Sequence, residues 1–125
     1  MGTIPSEIGF LTKLEYLAAS SFLLTGTVPA TLCKLEMLSH LYLDTSSLKG
    51  TIPQELGNLS ALIKLYLDSN QLTGTLPSEL GRLEGLESFA VSFNEISGTV
   101  PSSFSRLTKL GKQKRLPFVA SPQTI

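Results

Sequence analysis

The sequence predicts an α/β solenoid built from stacked units of 24 residues. Three observations predict it: glycines recur at this spacing, prolines keep the same spacing, and leucines fill further columns of the same period. The glycines are Gly2, Gly26, Gly50, Gly74 and Gly98, and the prolines are Pro5, Pro29, Pro53, Pro77 and Pro101. A fixed period in this range is typical of repeat architectures, in which each unit contacts only its neighbours.

The leucine columns supply the predicted core. Two of them run Leu11, Leu35, Leu59, Leu83, Leu107 and Leu14, Leu38, Leu62, Leu86, Leu110. About seven inward side chains per unit, at about 1.5–3 kcal/mol each, contribute on the order of 10–20 kcal/mol. Ordering the backbone costs about 1–2 kcal/mol per residue. A single unit therefore cannot fold alone, and stacking has to supply the missing burial.

One stretch carries a family resemblance. Residues 62–72 read Leu-Ile-Lys-Leu-Tyr-Leu-Asp-Ser-Asn-Gln-Leu, which resembles the leucine-rich repeat L-x-x-L-x-L-x-x-N-x-L at every fixed position. The continuation over 73–81 is similar to the 24-residue subclass of plant receptors and secreted plant inhibitors. The resemblance covers residues 2–110. It implies a right-handed horseshoe with a concave parallel β-sheet and short helical or 3₁₀ turns on the convex side.

Each unit has three predicted elements in order. The alternation Leu-x-Leu predicts one concave strand. The resemblance implies a second short strand at the Thr-aliphatic segment after each glycine, with threonines of that column paired across strands. Proline then suits the first residue of a helical turn, where its missing N–H is not needed.

The resemblance also implies a ladder of asparagines that satisfies backbone groups in the turns. Asn70 and Asn94 fit this column, whereas Phe22 and Ser46 interrupt it. Ser46 can still donate one hydrogen bond and Phe22 cannot. We therefore expect the first two turns to be less regular than the later ones.

The units divide the chain into a leucine-rich repeat domain over residues 1–110 and a basic, flexible tail over 111–125. The predicted units are 1–10 (partial), 11–34, 35–58, 59–82, 83–106 and 107–110 (partial). Solenoids need polar end caps, and the single cysteine, Cys33, rules out a disulfide-paired one. We expect Ile4, Ile8, Leu11 and Leu14 to be partly bare, which makes end-to-end self-association an open possibility.

Composition and spacing argue against an enzyme, a cofactor or a metal site. The net charge is zero, and no apolar run approaches the roughly 18 residues of a membrane span. His40 and Asp44 lie four residues apart on one strand, about 13 Å, too far for a nucleophile–base–orienter arrangement. Asp44 and Asp68 lack the six to eight oxygens that Ca²⁺ requires. Basic residues between Arg106 and Arg115 are interpreted as a charged terminus, not a nucleic-acid site.

The variable positions around the strand leucines form the candidate site. All three tyrosines and the only histidine fall there, and tyrosine is a frequent binding anchor. The alternative is that the tyrosines simply pair across the sheet. The candidate ligand-binding residues are Tyr16, His40, Tyr42, Asp44, Lys64, Tyr66, Asp68 and Phe93. Separately, Asn58-Leu59-Ser60 is an N-glycosylation acceptor sequence.

These features predict a non-enzymatic module that binds a protein or peptide through the concave face. The resemblance implies a receptor-like or secreted parent protein that is extracellular or associated with the plasma membrane. An inhibitor of cell-wall-degrading enzymes and an intracellular scaffold or adaptor remain alternatives. A glycan that stacks on tyrosine also remains open as the ligand.

Overall fold

A computed structural model of the protein describes residues 2–20 and 23–111. Short strands alternate with 3₁₀ helices along this part of the chain. The strands are β1 Gly2–Thr3, β2 Tyr16–Ala18, β3 Leu24–Thr25, β4 His40–Tyr42, β5 Lys49–Thr51, β6 Lys64–Tyr66, β7 Gln71–Thr73 and β8 Ser88–Ala90. The 3₁₀ helices are η1 Ser6–Phe10, η2 Ala30–Lys34, η3 Gln54–Asn58, η4 Ser78–Arg82 and η5 Ser102–Arg106. Gly111 apart, the predicted tail lies outside the described residues.

The predicted concave sheet consists of four parallel strands in the order β2-β4-β6-β8. Each residue pairs with the residue 24 positions later, so that Leu17, Leu41, Leu65 and Phe89 stand opposite one another. Leu41, Leu65 and Phe89 are fully buried under the sheet. Because successive side chains alternate, the flanking residues face away from the core. We call this outer side, with the residues that follow each strand, the concave face.

The second strands include the predicted Gly-Thr pair in β1 and β5 but end before the glycine in β3 and β7, and their register differs from the prediction. In the pair β5–β7, Gly50 stands opposite Leu72 and Thr51 opposite Thr73, so the partners are 22 residues apart. The prediction that the threonines after each glycine pair with one another is therefore wrong. A threonine after one glycine instead pairs with the residue before the next glycine, which is Thr25, Thr73 or Ser97.

Backbone geometry at the glycines explains this register. Gly74 has φ +82°, and a Cβ added there would lie 2.9 Å from the Thr51 Cγ2 methyl. The same geometry recurs at Gly26, Gly50 and Gly98. Each of these four glycines turns the chain in the left-handed region and admits the threonine methyl of the preceding unit. The Gly-Thr pair therefore lies in a strand, as in β1 and β5, and its threonine methyl also contacts the glycine of the next unit.

The 3₁₀ helices start one residue later than predicted. Each proline stands just before a helix, in extended conformation, and its carbonyl accepts the first hydrogen bond, as from Leu56 N–H to Pro53 O at 3.1 Å. Small residues in these helices allow close stacking, since a Cβ on Gly57 would lie 2.3 Å from the Glu79 carbonyl oxygen. Cys33 occupies the same column, and burial, with Glu55 nearby, raises the pKa of its thiol to about 12.

The ends of the core differ from the prediction at one residue. Leu11 is 52% exposed, although its column equivalents are fully buried, and Ile8 and Leu14 are half-buried. Ile4, predicted to be bare, is buried. The reason is the register above: residues after each glycine are covered by the following unit, not the preceding one. Val100, which no described unit follows, is accordingly 41% exposed.

The asparagine ladder forms where the sequence predicts it. Asn70 Oδ1 accepts from Leu48 N–H at 3.0 Å, and its Nδ2 donates to the carbonyl oxygens of Leu43 (2.9 Å) and Leu67 (3.0 Å). Asn94 makes the equivalent bonds one unit later, for example from Leu72 N–H at 2.9 Å.

The second turn is as regular as the later ones, contrary to the prediction. Thr45, Ser69 and Phe93 share φ values of 55–60°, and Thr45 N–H donates to Asp68 O as Ser69 N–H donates to Ser92 O. Backbone pairing with the next unit therefore holds this turn. Ser46 Oγ contributes one bond, to Asp44 O at 3.3 Å. Phe22 lies outside the described residues.

Candidate ligand-binding face

The structure brings four of the eight predicted residues into one aromatic cluster: Tyr16, His40, Tyr42 and Tyr66. The Tyr16 and His40 rings stack with centroids 5.2 Å apart. Tyr42 meets Tyr16 edge-on at 5.5 Å and Tyr66 at 5.1 Å with an 85° interplanar angle. The strand register produces these contacts, because it places Tyr16 opposite His40 and Tyr42 opposite Tyr66.

The cluster stabilises the sheet and also offers surface for binding. Aromatic pairs of this geometry contribute about 0.5–1.5 kcal/mol each beyond burial. Tyr16 remains 57% exposed, and Tyr42 and Tyr66 are half-buried. Burial, followed by the neighbouring Tyr16, raises the pKa of Tyr42, so its phenol stays protonated and can donate a hydrogen bond.

Ser39 orients the histidine of the cluster. Its hydroxyl lies 3.0 Å from the Glu15 carbonyl oxygen, to which it donates, and 2.8 Å from His40 Nδ1. Because the hydroxyl proton is already given to Glu15, Nδ1 is the donor in the second bond, and the proton of a neutral ring resides there. Ser39 is not among the eight predicted residues. Its position next to the only histidine was the available signal.

The two aspartates next to the cluster have different surroundings. Asp44 Oδ1 accepts from Ser20 Oγ at 2.6 Å and Oδ2 from Thr45 Oγ1 at 3.2 Å. Asp68 Oδ1 is shielded from solvent and has no donor among the described residues. Burial raises the pKa of Asp68, and the Asp44 charge adds to this, although a backbone hydrogen bond opposes both. Both carboxylate oxygens of Asp44 thus have donors within the protein, whereas Asp68 has one buried oxygen without a donor among the described residues.

Lys64 and Phe93 are the remaining two of the eight predicted residues, and they lie at the margins of the aromatic cluster and the two aspartates. Lys64 stands between His40 and Ser88 in the sheet register and is half-buried. Phe93 follows β8 in the turn and is 82% exposed with φ +57°. This conformation is rare for a bulky side chain. All eight predicted residues are therefore found on the concave face or its rim.

We also considered grooves, metal-ligand clusters and membrane spans among the described residues outside the concave face. An open groove between η3 and η4 is lined by residues such as Pro53, Glu55, Pro77 and Glu79, and by none of the eight predicted site residues. Within residues 2–20 and 23–111, no three acidic, histidine or cysteine side chains gather as metal ligands. Likewise, no helix in that part of the chain has the length and apolarity to cross a bilayer.

Comparison with known proteins identifies the repeats. Residues 61–83 and 85–107 match the model of the Leucine Rich Repeat family. No curated protein sequence matches the chain. Several solved structures do, and three are described here.

The first is the ectodomain of the Arabidopsis thaliana membrane receptor kinase GASSHO1/SCHENGEN3 in complex with CASPARIAN STRIP INTEGRITY FACTOR 2, 40% identical over 87% of this chain with a TM-score of 0.85. The second is the plant peptide hormone receptor RGFR1 in complex with RGF2, 39% identical over 87%, also at 0.85. The third is the ectodomain of the Arabidopsis thaliana receptor kinase SOBIR1, 32% identical over 96%, again at 0.85.

The chain spans 13%, 18% and 62% of these three relatives, respectively. The match therefore concerns the repeats and not the whole of each receptor. The 24-residue period, the sheet register, the asparagine ladder and the sequence identity all indicate leucine-rich repeats. The described part of the chain is therefore a leucine-rich repeat solenoid, and it is similar to the ectodomains of plant receptor kinases.

Proposed function

We propose that the chain binds an extended peptide segment through the concave face, as part of a receptor-like or secreted protein. The observation that carries this proposal is the edge-to-face pair of Tyr42 and Tyr66 at the centre of the sheet, with the half-buried Asp68 two residues after Tyr66. The similarity to a peptide hormone receptor supports a peptide as the ligand.

The charges around the cluster define the chemistry of the ligand. Asp44 and Asp68 lie on one side of Tyr42 and Tyr66, and His40 and Lys64 lie on the other. A guanidinium or ammonium group would gain from the Asp68 carboxylate and from the tyrosine rings. A carboxylate would be favoured on the side of Lys64. The ligand therefore carries a basic group at one end and an acidic group or C-terminus at the other.

The same arrangement limits the length of the contacted segment. From His40 to Asp44 the chain advances four residues, at most about 13 Å at 3.3 Å per residue. An extended segment of about four residues covers that distance. An apolar or aromatic side chain in its middle would rest on Tyr42 and Tyr66. Tyrosines at such central positions are frequent hot spots.

The proposal can be tested by selecting ligands from a phage-displayed random hexapeptide library on the immobilised full chain. Affinities of the selected peptides are then measured by calorimetry for wild type, Tyr42→Ala, Tyr66→Ala and Asp68→Asn. We expect each tyrosine variant to lose at least tenfold in affinity. Asp68→Asn should lose most against peptides with a basic residue. Circular dichroism checks the fold of each variant.

Glu55→Gln is the matched control for Asp68→Asn, because Glu55 is an exposed carboxylate on η3, outside the concave face. Its affinity should equal that of wild type. Peptides that bind the folded tyrosine variants as tightly as wild type would place the binding surface elsewhere and overturn the proposal.

A further inference from the structure

The acceptor tripeptide Asn58-Leu59-Ser60 lies on the side of the solenoid opposite to the concave face. Asn58 is the last residue of η3 and is exposed, as is Ser60. Leu59 between them is fully buried in the core. The middle residue thus anchors the tripeptide, while the asparagine and the serine both point outward.

The exposure of Asn58 and Ser60 follows from a backbone corner that recurs in other units. Ser60 N–H donates to Asn58 O at 2.9 Å. Glu36, Glu84 and Thr108 donate in the same way to the residue two before them, at the same corner of their units. The residues that replace Asn58 in the other units are large and exposed: Phe10, Lys34, Arg82 and Arg106. A bulky group at this position therefore meets no neighbouring unit.

The other two asparagines are excluded by structure and by sequence. Asn70 and Asn94 are the ladder residues, with their amide nitrogens committed to backbone carbonyls. Neither is followed two residues later by serine or threonine. Asn58 is the single asparagine of the sequence with both the acceptor motif and an exposed side chain.

We propose that Asn58 is an N-glycosylation site and that its glycan covers the convex side around η3. The donor is an oligosaccharide carried on a lipid pyrophosphate. Asn58 Nδ2 displaces the lipid pyrophosphate from C1 of the first sugar, forming the N-glycosidic bond and losing one amide proton. The attachment at Asn58 stands independently of the proposed peptide ligand, whereas the expected effect of the glycan on binding rests on that proposed function.

The position of the glycan has a consequence for binding. An oligosaccharide on η3 obstructs partners that approach the exposed surface around Glu55 and the groove between η3 and η4. It leaves the tyrosines on the opposite side uncovered. Removal of the glycan should therefore leave the affinity for concave-face peptides unchanged within twofold.

The test is secretion of the full chain from insect cells behind an added leader, followed by intact mass measurement and glycopeptide mapping of the folded, secreted fraction. Wild type and Ser60→Thr should carry an oligosaccharide at Asn58. Asn58→Gln and Ser60→Ala should be secreted at the mass of the bare chain. Enzymatic release of the glycan should leave aspartate at position 58.

Ser60→Thr is the matched control for Ser60→Ala, because it keeps the required hydroxyl at an exposed position. A folded, secreted wild type at the mass of the bare chain would overturn the assignment. A glycan attached elsewhere, and retained in Asn58→Gln, would overturn it as well. Peptides that bind the deglycosylated protein much better would contradict the placement of the glycan away from the ligand.

Discussion

Substitution of Gly74 by alanine tests the contact that sets the spacing of the units. Gly74 has φ +82°, and a new Cβ would lie 2.9 Å from Thr51 Cγ2. Alanine in the left-handed region costs about 1–2 kcal/mol. Overpacking against a fixed neighbour adds about 1–3 kcal/mol. Because Thr51 and Gly74 sit on paired segments of neighbouring units, neither can retreat freely, and we expect a total loss of about 2–5 kcal/mol.

A double-mutant cycle separates the two contributions. Thr51→Ser keeps the hydroxyl and removes the methyl that the alanine would meet. In this background Gly74→Ala should cost only the conformational part, about 1–2 kcal/mol. The difference between the two backgrounds is the coupling energy of the contact. Urea denaturation followed by circular dichroism measures all four proteins.

Gly85 provides the matched control. It has no positive φ, and a Cβ there would make an ordinary 3.6 Å contact with the Leu62 carbonyl oxygen. Ala61 already occupies the equivalent place in the preceding unit. Gly85→Ala should therefore be neutral or slightly stabilising. If Gly74→Ala costs the same in both backgrounds, the threonine methyl does not constrain the register, and the explanation of the 22-residue offset fails.

Three further predictions use the same denaturation assay. Leu59→Ala should cost about 2–5 kcal/mol, but Leu11→Ala less than about half of that, because Leu11 is 52% exposed and leaves no closed cavity. Equal losses would show that the first unit is covered in solution. Ser46→Asn should stabilise by about 1 kcal/mol by extending the ladder, and a loss would show that this turn has no room for an amide. The folded state raises the pKa of Asp68 above its ordinary 3.8, so it holds the proton more tightly than the unfolded chain does. Stability should therefore fall as pH rises from about 4 through the raised pKa, and Asp68→Asn should reduce that slope. An unchanged slope would mean that Asp68 does not titrate as inferred.

The period of the sequence was sufficient to predict the main sheet and the neighbours within it. Residues that are 24 positions apart in the sequence stand opposite one another on neighbouring strands, because the parallel strands of successive units pair in register. Tyr42 opposite Tyr66 follows from this rule alone. The ring angles and centroid distances do not, because they depend on side-chain packing across three strands.

The second sheet could not be predicted in the same way. Its 22-residue register arises from the glycine conformation and the threonine methyl, which meet only between units. The burial of Ile4 follows from that register and was missed for the same reason.

The different hydrogen bonding of Asp44 and Asp68 could have been predicted from the sequence. In their column, Asp44 follows Ser20, which is a donor, and Asp68 follows Asp44, which is a second acceptor. Ser20 of the preceding unit donates to Asp44, whereas Asp44 has no proton to donate to Asp68, whose Oδ1 is left without a donor among the described residues. Equivalent positions in successive units of a solenoid thus predict hydrogen bonding as well as burial, provided that the donor or acceptor character of each residue is compared with that of its neighbour in the next unit.

Phe93 shows how backbone strain connects stability with binding. Its φ of +57° is imposed by the turn, since Thr45 and Ser69 share it, and its side chain is 82% exposed. A phenylalanine here costs about 1–2 kcal/mol and gains little from burial. Asparagine tolerates this conformation well. We therefore expect Phe93→Asn to raise stability by about 1 kcal/mol while lowering the affinity for concave-face peptides about tenfold.

Ser69→Asn is the control for the stabilisation that comes from placing asparagine at a positive φ, because it changes the same turn position of another unit without removing an aromatic ring. It should raise stability similarly, and its effect on affinity should be the smaller of the two. A Phe93→Asn protein that binds as tightly as wild type would show that the ring is incidental to the ligand. One that is less stable than wild type would show that the turn does not strain phenylalanine. Either result would remove the argument that an exposed aromatic in a strained turn is retained for binding.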